Sequence, residues 1–139
     1  MANVRNKERP LSPHLGIWKW GPGMLVSIVH RATGSGMATV GAALLVWWLV
    51  ALASGEKAYA RFVDVFTRDS GHLNVAGYVI GIGLTFALFQ HMASGVRHFF
   101  LDVGANFELK SNKTSAMLTF LFSVVATIGF WFVILEKMS

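Results

Sequence analysis

Polar and apolar positions fall in blocks along this chain. Apolar blocks at 24–53, 73–101 and 115–135 are separated by short polar stretches. A helix needs about 20 residues to cross the ~30 Å hydrocarbon core of a bilayer, so each block is long enough to span it. The pattern predicts an all-α membrane protein with three transmembrane helices, one domain over 1–139, and no separate soluble domain. Residues 1–23, with Pro10 and Pro13 and no sustained apolar face, read as a cytoplasmic or interfacial arm. Trp18 and Trp20 suit its anchoring among lipid headgroups, and Pro22 suits the first turn of the first helix. The connection at 54–71 has room for a short interfacial helix, and 104–114 reads as a polar loop. Gly34, Ala38 and Ala42, then Gly77 and Gly81, recur at a spacing that lets helices approach closely in lipid. Packing within the chain is favoured over contact with another chain.

Composition agrees with that reading. Of 139 residues 54% are hydrophobic and 14% charged, which excludes an ordinary water-soluble domain. The chain has no cysteine, so disulfides, thiol catalysis and iron–sulfur clusters bound by this chain are excluded. A net charge of +5 could suggest nucleic acid, but the cations gather near helix ends, where they set membrane orientation. Arg5, Lys7, Arg9, Lys19 and Arg31, with Arg97, Lys110 and Lys113, predict a cytoplasmic N-terminus and second connection. Residues 1–19 have no short apolar core followed by a small-residue cleavage site. The expected location is therefore a bacterial inner membrane, crossed several times.

His91 carries the first chemical signal. An intramembrane histidine is costly unless it is paired or used, which makes it a functional candidate by default. Gly95, His98 and Asp102 continue its helical face, and Gly95 clears a surface against which a flat ligand could lie. An imidazole donor beside a cleared surface is what a haem requires. Ser27 and Arg31 lie four residues apart, one turn of the first helix, with His30 on an adjoining face. A hydroxyl beside a guanidinium suits a quinone carbonyl, and an arginine with a histidine suits haem propionates. The plainer alternative has Arg31 snorkelling to the headgroups and Ser27 bonding its own backbone. Antiparallel helices gather Ser27, His30, Arg31, His91, Arg97, His98 and Asp102 in one leaflet, and this favours a shared polar site. Asp102, one turn from His98, is placed to orient that ring; His14 and His72 fall in polar flanks and read as solvated. The third helix has no ionisable residue between 115 and 135 and is expected to supply packing only. The chain thus offers one strong axial ligand. A second would come from another polypeptide or, less readily, from His30.

Three motifs form a recognisable set: RPLSPHLGIW at 9–18, SIVHRATG at 27–34 and HMASGVRHFFLD at 91–102. Together they resemble the cytochrome b membrane-anchor subunit of succinate dehydrogenase, respiratory complex II. The resemblance implies a two-subunit helical bundle in which a second membrane anchor supplies the other axial ligand to a haem b. It further implies docking of an iron–sulfur subunit and a flavoprotein subunit, which would hold the iron–sulfur clusters and FAD. Carried over by motif, His91 corresponds to the axial ligand of the haem iron, and His30 and Arg31 to groups near the propionates. Ser27 and Arg31 correspond to residues of the ubiquinone site. The implied reaction passes electrons from succinate to ubiquinone, with the succinate-oxidising site on another chain. A quinol:fumarate reductase anchor and a non-redox proton-relay or transport protein are the alternatives. The crowding of ionisable groups into one leaflet argues against a relay across the membrane.

Overall fold

The computed structural model describes residues 19–138. Its elements are α1 (Pro22–Gly36), a π-helical turn (Met37–Gly41), α2 (Ala42–Ala53), α3 (Glu56–Phe66), α4 (Val75–Asp102) and α5 (Leu109–Met138). The first three run on as one rod, so three helical stretches are long and apolar enough to cross a membrane: Pro22–Ala53, Val75–Asp102 and Leu109–Lys137. Among the described residues the chain is all-helical apart from turns and one isolated bridge, Thr67 with Leu73. Of the arm expected at 1–23, residues 1–18, including Pro10, Pro13, His14 and Trp18, lie outside the described residues. Trp20 is exposed just before the first helix, where Pro22 occupies its opening turn.

The polar stretch 104–114 differs from the expected loop. Gly104 and Asn106 turn the chain with φ of 83° and 65°, and α5 begins at Leu109. Asn112 Nδ2 donates to the Asn106 carbonyl and Ser111 Oγ to Asn106 Oδ1, tying the helix start to the turn. Hydropathy marks only the membrane-crossing part of a helix, and this one begins before it.

At the other end, α3 lies between the first two spans. Its Phe62 and Phe66 rings meet Trp47 at centroid distances of 4.9 and 6.1 Å. Asn74 caps α4 by accepting from Gly77 N at 2.9 Å, while its amide donates to the Val65 and Thr67 carbonyls. A Cβ on Gly77 would collide with the Phe66 carbonyl, so only glycine permits this corner. Gly81 gives Trp131 its place in the same way, since a Cβ there would lie 2.7 Å from the indole. Of the small-residue series 34–38–42, only Gly34 meets a neighbouring helix; Ala38 and Ala42 are exposed. The π turn widens the helix between them and breaks the four-residue stripe.

The interior inverts the pattern of a water-soluble protein. Among the described residues the buried apolar ones are Val26, Ala51 and Ala116, whereas Gln90, Ser94, Arg97, Thr119, Ser123 and Thr127 are buried polar ones. Most leucines, valines and phenylalanines point outward. Lipid is as apolar as leucine, so helices here gain little by hiding leucine and associate through close packing and hydrogen bonds.

Candidate functional site

The site grows from the crossing of α1 and α4. Gly34 has no side chain, and a Cβ there would stand 2.7 Å from Cε1 of His91. The glycine therefore lets the His91 imidazole lie against the backbone of α1. His91 Nδ1 is 3.1 Å from the carbonyl oxygen of His30 and 3.4 Å from Thr33 Oγ1. A carbonyl only accepts, so Nδ1 carries a proton, and in the neutral ring Nε2 then keeps its lone pair. Histidines that bind metals are typically oriented by such a bond on the other ring nitrogen.

His30 is held in a matching way. Its Nδ1 lies 2.6 Å from Ser94 Oγ, and that hydroxyl donates to the Gln90 carbonyl at 2.6 Å. The single hydroxyl proton is thereby engaged, so His30 Nδ1 is the donor, and in the neutral ring Nε2 then keeps its lone pair. The His30 and His91 rings stack with centroids 4.0 Å apart and planes 7° from parallel. Stacked rings stand side by side, whereas trans ligands face one another across a metal. The pair as arranged is not a two-ligand axial set.

The remaining candidates surround this pair. His98 tilts against His30 at 5.1 Å, while Asp102 is exposed and makes no ion pair with it among the described residues. The expectation that Asp102 orients His98 is replaced by a ring contact with His30. Gly95 is open, with nothing within 4 Å of an added Cβ. Ser27 and Arg31 are exposed on α1. The Thr33 hydroxyl bonds back to the Val29 carbonyl, but no such bond holds Ser27 among the described residues. His72 is exposed beyond the far end of the spans, as its polar flank suggested.

Sequence reading missed Ser94, although positions 91, 94 and 98 share a helical face. It also missed the role of α5. Ser115 accepts from Arg97 Nε at 3.1 Å, and Thr119 accepts from Gln90 Nε2 at 3.4 Å. The third span therefore supplies polar contacts as well as packing. The four-residue series 115, 119, 123, 127 was the available signal.

Comparison with known proteins extends over nearly all of the bundle. Residues 5–130 match the family described as the succinate dehydrogenase/fumarate reductase transmembrane subunit. The succinate dehydrogenase cytochrome b556 subunit of Paracoccus denitrificans is 34% identical over 128 residues, covering 92% of this chain and 93% of that one. Its counterpart in Rickettsia bellii is 32% identical over 129 residues, 89% of this chain and 91% of the other. The mitochondrial cytochrome b560 subunit of Homo sapiens is 27% identical over 122 residues, 88% of this chain and 69% of that one. With nearly the full bundle matched, the chain belongs to the succinate dehydrogenase/fumarate reductase transmembrane subunit family.

Proposed function

We propose that this chain is the cytochrome b anchor of a succinate:quinone oxidoreductase, with His91 as an axial ligand to a haem b. The observation that carries the reading is the bond from His91 Nδ1 to the His30 carbonyl, which leaves Nε2 as a donor. Gly34 beneath the ring and the open surface at Gly95 fit a flat macrocycle on this side. The cytochrome b names of the relatives agree with that fit. A bound haem would supply reversible one-electron storage beside the quinone.

This chain's own residues bind and orient. His91 supplies one donor and a second anchor subunit the other. His30 and Arg31 present an imidazole and a guanidinium toward propionates, and Ser27 and Arg31 present donors to a ubiquinone carbonyl. Arg31 suits both tasks because its planar fork keeps its charge in a poor solvent. Ser27 is suited to donate because no bond to its own helix occupies its hydroxyl. Succinate oxidation belongs to a flavoprotein subunit, joined to the membrane through an iron–sulfur subunit. The distribution of basic residues supports a bacterial inner membrane with the N-terminus in the cytoplasm. The family description covers both directions of the reaction, and the relatives' names favour succinate oxidation.

The purified complex is expected to show a low-spin b-type haem spectrum that His91→Ala abolishes. Ser27→Ala should keep that spectrum and slow quinone reduction about 5- to 150-fold, the effect of losing ~1–3 kcal/mol of hydrogen bonding to the reacting carbonyl. Succinate oxidation by a soluble artificial acceptor should continue in both variants. An unchanged haem spectrum in His91→Ala removes the ligand assignment.

A further inference from the structure

On the opposite side of α4 from the histidine crossing, a groove of adjoining hollows runs along α5, and its middle hollow lies between α4 and α5. The outermost, about 440 Å³, is polar and is lined by Asn106, Glu108, Lys110 and Ser115. It shares Asn106, Ser115 and Leu118 with a middle hollow of about 400 Å³, walled by Val96, Phe100 and Phe122. Leu118 and Phe122 continue into a third, about 420 Å³, whose other walls are Leu121, Val125 and Ala126. Polarity thus falls steadily from the helix end toward the bilayer centre.

Arg97 stands where polar wall gives way to apolar wall. It is 6% exposed, its Nε donates to Ser115 Oγ at 3.1 Å, and it lines the middle hollow. No carboxylate pairs with it among the described residues. A buried guanidinium is costly without an anion, and it forms its strongest bonds with carboxylate or phosphate oxygens. From Ser115 to Val125 the helix rises about 15 Å, half of the ~30 Å hydrocarbon core and so the length of one acyl chain.

We infer that the α4–α5 groove is a binding site for an anionic phospholipid, with its phosphate on the Arg97 guanidinium and one acyl chain along Leu118, Phe122 and Val125. A zwitterionic headgroup also brings a phosphate, but its own ammonium offsets that charge and leaves the cation without a net counter-charge, and a free phosphate would leave the trough unfilled. The site is independent of haem and quinone and lies on a different face of α4.

Native mass spectrometry of the full complex, delipidated in mild detergent, tests this with three probes: phosphatidylglycerol, phosphatidylcholine of the same acyl chains, and inorganic phosphate. The complex should retain phosphatidylglycerol roughly fivefold over phosphatidylcholine, the factor one basic side chain contributes toward anionic lipid. Arg97→Gln should bring the two to parity. Ala93→Phe, which fills the middle hollow and keeps the arginine, should lose both lipids, and it decides the matter if Arg97→Gln does not assemble. Parity in the wild-type complex overturns the site, as does a preference that survives Arg97→Gln. Displacement of phosphatidylglycerol by equimolar inorganic phosphate would mean an anion site without a lipid trough. A photoreactive residue at Leu118 that cross-links to protein instead of lipid would assign the groove to a partner chain.

Discussion

The two contacts made by α4 use polar residues in opposite ways. Against α5 the hydroxyls turn inward and donate to their own helix, Ser123 to the Thr119 carbonyl at 2.6 Å and Thr127 to the Ser123 carbonyl at 2.7 Å, and the bonds that cross, from Arg97 to Ser115 and from Gln90 to Thr119, use the α5 hydroxyls only as acceptors. Ser123 and Thr127 are buried and largely satisfied. Against α1 the bonds run between helices, His30 to Ser94 and His91 to the His30 carbonyl, and both rings remain half-buried. A polar group bonded to its own backbone allows close packing and requires nothing further. One that is bonded across helices, with a lone pair still free, holds a geometry that a ligand can complete. In a membrane protein the direction of the hydrogen bonds therefore separates a seam from a site better than burial does.

The sharpest way to break this contrast is Gly34→Val. Any side chain there meets the His91 ring, and overpacking of this kind costs ~1–3 kcal/mol. Haem content per complex, read from the reduced-minus-oxidised spectrum, should fall about tenfold if the strain approaches 1.4 kcal/mol at the ligand. Retained haem would show that His91 does not need the backbone of α1. A smaller effect follows from Ser94→Ala, which removes the acceptor that fixes His30. Interhelical polar contacts in membranes average about 0.6 kcal/mol, so quinone turnover should fall two- to threefold with assembly preserved. Kinetics identical to wild type would make the Ser94 bond incidental. The seam should respond least. Gln90→Met removes a long 3.4 Å bond and an Oε1 that is buried without a partner. Apolar replacement of such a group is close to neutral or mildly stabilising. The melting temperature of the complex should hold or rise, with haem and turnover unchanged; a marked loss would make the seam a site after all.

How far the sequence carries the reader follows from the same contrast. The spans were legible because hydropathy and helix length are local properties, and His91 because an intramembrane imidazole is conspicuous wherever its helix lies. Local signals also gave Pro22 as a helix opener and a short helix in the first connection. The Ser94–His30 bond was not legible, because it depends on how α1 is rotated against α4. That rotation is set by Gly34 and Val26 packing against other helices, which no window along the chain reveals. The early start of α5 escaped because its first turns are polar. The inward hydroxyl stripe escaped for another reason: serine and threonine in an apolar helix read as neutral filler until their four-residue spacing is noticed.

The π turn at Met37–Gly41 gives the first span two rotational registers. Residues up to Gly36 are phased to α4, where His30 and Gly34 meet Ser94 and His91. Residues from Ala42 onward are phased to α3, where Trp47 meets Phe62. Each residue of an α-helix turns the chain by about 100°, so deleting one residue within the widened turn would swing Trp47 off its partner by that angle while leaving Ser27, His30 and Arg31 in phase. The span can therefore lengthen or shorten at this point without disturbing the histidine crossing, and the two leaflets it traverses are free to diverge separately.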